Sequence, residues 1–245
     1  MKTILNLKQC LILFAAVFSL TSCLKSDDPD FQIYPGGYLE QSVTEIDGET
    51  PTITSKYTPI ILVQSVNNDV IQSCTVSGPS TVMMDAVNGY NGLVWLSTMP
   101  VPTSELPKSA YSIKASNTKG EEVTTSISFS SITTVMENEL ISPINYSGKK
   151  LTFSFNKVKN ATAYILLSSP SRNASFFQSS VLQVYTESQI SAGELSLEEA
   201  SFASKLQAGT HYITTAAIIG SVSNNNINGL SVLQRGETTT YTKQE

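Results

Sequence analysis

An all-β chain built as two successive β-sandwiches is what the sequence predicts, on three observations. Short runs rich in Val, Ile, Thr, Tyr and Phe recur between clusters of Gly, Pro, Asn and Asp, which is how many short strands separated by turns are written. Alternation with a period of two residues is frequent, while helical periodicity is nearly absent. The alternating pattern also restarts after Pro143, and the stretch from Phe31 to Glu245 is long enough for two modest domains.

The N-terminus carries an address. Lys2 and Lys8 form a positive region ahead of an apolar run from Cys10 to Leu20 that is too short to span a bilayer, the pattern of a signal peptide over residues 1–22. Leu20, Thr21, Ser22 and Cys23 resemble the bacterial lipobox. That resemblance implies that Cys23 becomes the first mature residue and carries a diacylglycerol thioether, usually with an N-acyl chain, the alternative being an ordinary cysteine near a cleavage site. Each buried CH₂ adds about 0.8 kcal/mol to membrane attachment, so several acyl chains hold far more firmly than one. Leu24 to Asp30, with Lys25, Asp27, Asp28 and Asp30, is a polar stretch that reads with Cys23 as a tether over residues 23–30. A lysine followed by clustered aspartates after the lipidated cysteine also resembles the export signal of Bacteroidota surface lipoproteins. The implied location is the outer membrane, facing the cell exterior, with a periplasm-facing lipoprotein as the alternative.

Cys10 leaves with the signal peptide and Cys23 is acylated, which leaves Cys74 as the single thiol and no internal disulfide. Cys74 sits in the alternating run Val70 to Val76 and reads as a small core residue. The precursor holds 15 Lys and Arg against 20 Asp and Glu; without Lys2 and Lys8 the mature balance is 13 against 20, a net charge of −7. That sign argues against nucleic acid and anionic headgroups as partners.

The first domain is expected over residues 31–135. Tyr38–Ile46 and Glu49–Tyr57 flank Asp47 and Gly48, a pair suited to the positive φ angles of a type I′ hairpin. Further strands are expected at Ile60–Ser65, Val70–Val76, Thr81–Met84 and Leu93–Thr98, with breaks at Asn67, Asn68, Gly78, Pro79, Asn88 and Gly89. Tyr111, Ile113 and Ala115 then alternate with Ser112 and Lys114, a turn follows over Ser116 to Gly120, and Val123, Thr125, Ile127 and Phe129 resume the alternation. Residues 107–130 resemble the last two strands of a bacterial immunoglobulin-like domain.

Weak alternation from Ser130 to Ser142, ending at Pro143, marks a boundary, and the second domain is expected over residues 136–245. Leu151, Phe153 and Phe155 alternate, a loop runs from Asn156 to Asn160, and Ala161, Ala163, Tyr164, Ile165 and Leu167 begin another strand. These resemble strands B and C of a fibronectin type III domain, with Phe155 where that family usually has tryptophan. Leu206, Gly209 and Tyr212, followed by Ile213, Thr215 and Ala217, resemble the family's turn into strand F with its tyrosine corner. Ser196 and Glu199 form a capping box that predicts a short helix over Leu197–Leu206, a departure from the family.

The chemical inventory is poor. His211 is the single histidine, so any Ser-His-Asp or Cys-His site would have to be built around it, and its place at a strand start is an ordinary one. One histidine and Cys74 cannot assemble a zinc site, and no glycine-rich phosphate loop follows a strand. Carboxylates cluster at Glu45, Asp47 and Glu49, at Glu121 and Glu122, and at Glu198 and Glu199, each reading first as surface or helix-terminal charge. The first group is too tight for a calcium loop. No catalytic residue, metal or cofactor is expected.

Binding is the remaining class. Trp95, in the run Leu93 to Leu96, reads as core. Phe176 and Phe177, beside Arg172 and Asn173, are read as strand residues facing opposite sides, so that one is exposed. Asn156, Lys157, Lys159 and Asn160 lie in the first loop of the fibronectin-like half. Asn224, Asn225, Asn226 and Asn228 lie in the loop expected between its last two strands, at the same end, and the two sets are candidate binding loops. The expected function is non-catalytic binding or adhesion at the cell surface, with an extracellular glycan or protein as ligand. The alternatives are a glycan-binding accessory lipoprotein of a polysaccharide-uptake system and a fimbrial-type structural subunit.

Overall fold

In the computed structural model, the structure describes residues 31–46, 52–223 and 226–244. The protein is all-β, with sheets packed face to face. Its strands are β1 (Ile33–Ile46), β2 (Thr52–Ser65), β3 (Ile71–Ser77), β4 (Met83–Ala86), β5 (Val94–Thr98), β6 (Tyr111–Asn117), β7 (Glu122–Ile127), β8 (Ile144–Ser147), β9 (Lys150–Phe153), β10 (Ala163–Ser169), β11 (Ser180–Tyr185), β12 (Leu195–Glu198), β13 (Gly209–Ser223) and β14 (Asn226–Lys243). Two single-turn helices, α1 (Glu187–Ile190) and α2 (Glu199–Ala203), and a 3-10 turn at Phe176–Gln178 interrupt the second half.

One eight-stranded sheet runs through both halves in the order β11-β10-β13-β14-β1-β2-β5-β4. Its joint is a parallel pairing of the last strand with the first, Leu39 opposite Val232 and Glu40 opposite Leu233. Two small sheets, β3-β6-β7 and β12-β9-β8, lie against it. The first closes a core around Leu39, Ile61, Val63, Ile71, Tyr111, Ile113 and Phe129. The second closes one around Leu151, Phe153, Tyr164, Leu166, Phe202, Ile213 and Tyr241. Each half thus has its own core, and the two share one sheet.

The central strands explain their own composition. Ile60, Ile61, Leu62 and Val63, like Tyr164, Ile165, Leu166 and Leu167, are continuous apolar runs because the large sheet is covered on both faces. Ile61, Val63, Tyr164 and Leu166 point inward to the two cores. Ile60, Ile165 and Leu167 join Tyr38, Leu96, Phe176, Ala216, Ile218 and Leu233 in a third cluster on the opposite face. Strands of the small sheets, covered on one face, keep the alternation: Tyr111, Ile113 and Ala115 are buried between exposed Ser112 and Lys114.

Turn chemistry follows the residues. Gly148 and Lys149 both take positive φ (58° and 64°), the type I′ arrangement that joins β8 to β9. Between β6 and β7, the fully buried Asn117 accepts at Oδ1 from the amides of Lys119 and Glu121, and Gly120 supplies a φ of 83°. Gly236 has no side chain because Ser142 and Thr215, hydrogen-bonded to each other at 2.6 Å, occupy that space.

Several expectations are corrected. The strands placed at Glu49–Tyr57 and Ile60–Ser65 are one strand, β2, paired along its length with an equally long β1. Ile46 faces Thr52 across that hairpin, and Asp47 and Gly48 lie outside the described residues. The helix expected from Leu197 begins at Glu199 with Glu198 as its cap, because Leu195 and Leu197 alternate into the core and pair with β9. Ser196, the expected cap, faces Thr152 within that ladder.

Candidate functional site

The outer face of the large sheet carries a cleft of about 400 Å³ where the two halves meet. Its floor is strand: Glu40 of β1, Ile60 of β2, and Leu96, Ser97 and Thr98 of β5. Its first wall is the β4 segment and the turn after it, Asp85 to Asn88, and its rim is Met99 and Pro100. The opposite wall is Asn173, Ser175 and Gln178, from the connection between β10 and β11. Concave sites of this size with aliphatic walls and a few polar groups are where small ligands bind.

Beside the floor, on the same face of the sheet, a half-buried polar group ties the halves together. Arg235 of β14 places Nε 3.0 Å from Oε1 of Glu40, with both side chains less than one-third exposed. The Tyr38 hydroxyl accepts from the Phe176 amide at 2.8 Å and lies within the electrostatic reach of Arg235. Burial and then the Glu40 charge hold the Tyr38 hydroxyl well above the ordinary tyrosine range, so it stays protonated. Desolvation works against the Arg235 charge, and Glu40 and Tyr38 more than offset it. Glu40 therefore reaches the cleft with its charge already balanced.

The wall next to this group is built by local capping. Gln178 accepts at Oε1 from the Ser175 amide, which closes the 3-10 turn over Phe176–Gln178. Phe176 and Phe177 were expected on a strand; they lie on this turn, Phe176 buried and Phe177 37% exposed. Both rings pack on Tyr38, with centroids at 6.2 and 5.4 Å. On the other side, Thr98 donates to Oδ2 of Asp85 at 3.0 Å. Met99 combines a left-handed φ of 45° with 77% exposure, an apolar side chain held out at the rim by a strained backbone.

The sequence-derived candidates fare differently. Asn156, Lys157, Lys159 and Asn160 form a cluster, but their polar atoms are largely turned onto the chain itself. Asn156 receives the Ile141 amide at 2.8 Å and donates to the Glu139 carbonyl at 2.7 Å. Lys157 pairs with Glu187 and Lys159 with Glu137, each at 2.5 Å, and Asn160 donates to the Val135 carbonyl and to Glu137. Hydrogen bonds from Lys159 and Asn160 hold the Glu137 carboxyl below its usual range. This loop fastens the connector between the halves to β10. The asparagine-rich loop is a strand hairpin, with Ser223 of β13 facing Asn226 of β14 and Ser221 facing Asn228; Asn224 and Asn225 lie outside the described residues, as does Cys23.

Trp95 packs partly buried against the first core and donates to the Ile71 carbonyl. His211 donates from Nε2 to the Gln207 carbonyl at 2.8 Å, and in the neutral ring Nδ1 accepts from Ser168 at 3.1 Å. Ser168 is 4% exposed, so its hydroxyl is closed off from a substrate. Glu121 accepts from Asn117, Glu122 pairs with Lys114, and Glu199 accepts from the Tyr241 hydroxyl. Among the described residues no group of His, Cys, Asp and Glu is placed to hold a metal, and no helix is long and apolar enough to cross a membrane.

The cleft itself was missed in the sequence. Its residues come from separate stretches of chain, each unremarkable alone, and the nearest signal was the run from Arg172 to Phe177. No protein-family model and no curated protein matches the chain.

Proposed function

We propose that this chain is a non-catalytic binding module, held by a lipid on Cys23 at the outer face of the outer membrane, that takes its ligand in the cleft between the two halves. The observation that carries the reading is the composition of that cleft: the polar Glu40, Asp85, Asn173 and Gln178 beside the aliphatic Ile60 and Leu96, with exposed Met99 at the rim. Such a surface can orient a ligand by hydrogen bonds and desolvate its apolar parts. The acid–base equipment for turnover is weak there. Glu40 is charge-balanced by Arg235, Asp85 is hydrogen-bonded to Thr98, and His211 has both nitrogens engaged elsewhere. The location rests on the sequence from Lys2 to Asp30, where a short apolar run, a lipobox-like tetrad and an acidic tether follow one another.

Protease shaving of intact cells, blotted against a periplasmic control, tests the display. Loss of the band with the control intact supports it, and full protection overturns it. Cys23→Ala is expected to abolish metabolic labelling by a fatty-acid probe and release the protein from the membrane fraction. Persistent labelling would overturn the anchor.

A further inference from the structure

The cleft also carries information about the chemical class of its ligand, provided the reading of it as the binding site holds. We infer that it takes a neutral saccharide segment and rejects anionic ones.

Charge comes first. Among the described residues two carboxylates line the cleft, Glu40 and Asp85, and no lysine or arginine does. Arg235 stands beside the floor rather than in the lining, and its charge is already paired with Glu40. A carboxylate or sulfate entering the cleft would find no cation among the described lining residues and would approach the carboxylate of the exposed Asp85, so uronates and sulfated sugars are disfavoured. A cationic ligand would be drawn only by Asp85, whose exposed charge solvent screens, since Glu40 is already paired with Arg235.

Hydrogen-bonding capacity comes second. Asn173 offers a donor and an acceptor, Gln178 its amide NH₂ (its Oε1 already accepts from the Ser175 amide), and Asp85 and Glu40 offer acceptors. A sugar hydroxyl donates and accepts at once, and neighbouring hydroxyls present that pair at fixed spacing, which suits a wall of amides opposite a wall with a carboxylate. Val87 and Pro100, with the edges of the buried Ile60 and Leu96, supply the aliphatic surface on which the C–H faces of a pyranose ring can lose water. The two polar walls come from different halves of the chain, so a bound segment would bridge the parts that the β1–β14 joint connects.

The test uses the detergent-solubilised full-length protein and saturation-transfer NMR with titration. One set of probes is neutral gluco-, manno- and galacto-oligosaccharides, a second is oligouronates and sulfated oligosaccharides, and a third is a lysine-rich peptide. Asp85 and Asn173 are exposed, so Asp85→Ala and Asn173→Ala should fold as the parent does, which circular dichroism checks. The expected result is binding of at least one neutral family, weakened by about tenfold or more in each variant, and no response to the anionic set. Equal binding of anionic sugars, neutral binding that both variants leave unchanged, or no saccharide binding would each overturn the inference. Peptide binding sensitive to the same two substitutions, without saccharide binding, would overturn the ligand class while leaving the cleft as a binding site. Binding of any probe insensitive to both substitutions would overturn the cleft itself.

Discussion

Gln41 and Met136 are joined twice. Nε2 of Gln41 donates to the Met136 carbonyl at 2.8 Å, and the Met136 amide donates back to Oε1 at 2.9 Å, all of it buried. A side chain of β1 thus satisfies the backbone of the connector that leads into the second half, as a neighbouring strand would.

Gln41→Leu removes both partners at once and leaves a buried amide and carbonyl unsatisfied. The expected loss is about 2–5 kcal/mol, read as a lower urea midpoint. A smaller effect than Gln234→Ala, measured in parallel, would show that the connector finds other partners.

Gln234 is the opposite case. It is 3% exposed on β14, and neither its Nε2 nor its Oε1 has a hydrogen-bond partner. Replacing an unpartnered buried amide by an unbranched apolar side chain is expected to raise stability by about 1 kcal/mol in Gln234→Met, seen as a higher melting temperature. A drop would mean that the amide is hydrogen-bonded in solution.

The alternations of Tyr111–Ala115, Val123–Phe129 and Leu151–Phe155 were legible because each of those stretches buries a single face, and the sandwich character follows from them. The β1–β14 pairing was not legible, since parallel partners almost two hundred residues apart leave no local mark on either strand. For the same reason the cleft escaped notice. The loop of Asn156 to Asn160 looked available because amides and lysines advertise solvent contact, whereas the carbonyls of Val135 and Glu139 that engage it carry no signature in sequence.

Glu40 and Arg235 make a second cross-half tie. Glu40→Gln leaves the guanidinium in a largely buried place without its counter-charge and is expected to cost about 1–3 kcal/mol. The double variant Glu40→Gln with Arg235→Met should recover part of that loss. A double-mutant cycle with coupling below about 0.5 kcal/mol would remove the pair from the account of how the halves hold together.

Alkaline pH should unfold the protein early. Burial pushes the Tyr185 and Tyr241 hydroxyls up to about 12 from an ordinary value of 10.0. Their stabilising effect is complete below pH 10, where both folded and unfolded chains keep the proton. It is lost as pH rises from there towards 12, because the unfolded chain ionises first. Denaturant midpoints are expected to be flat across neutral pH and to fall above pH 10; a flat profile up to pH 12 would contradict the burial of these rings.

Cys74 offers an independent readout of folding. It is buried, and desolvation pushes its thiol up to about 11, so thiolate is scarce at neutral pH. Labelling by a thiol reagent at pH 8 should proceed at the rate of unfolding and speed up in Gln41→Leu. Rapid labelling of the native protein would place Cys74 nearer solvent.

The position of β14 between β13 and β1 sets an order of events for a newly made chain. β14 follows every other described strand along the chain, so one flank of β1 stays bare until β14 has been made. Both cores draw on this sheet, and neither half can finish alone. Closure of the large sheet therefore waits for β14.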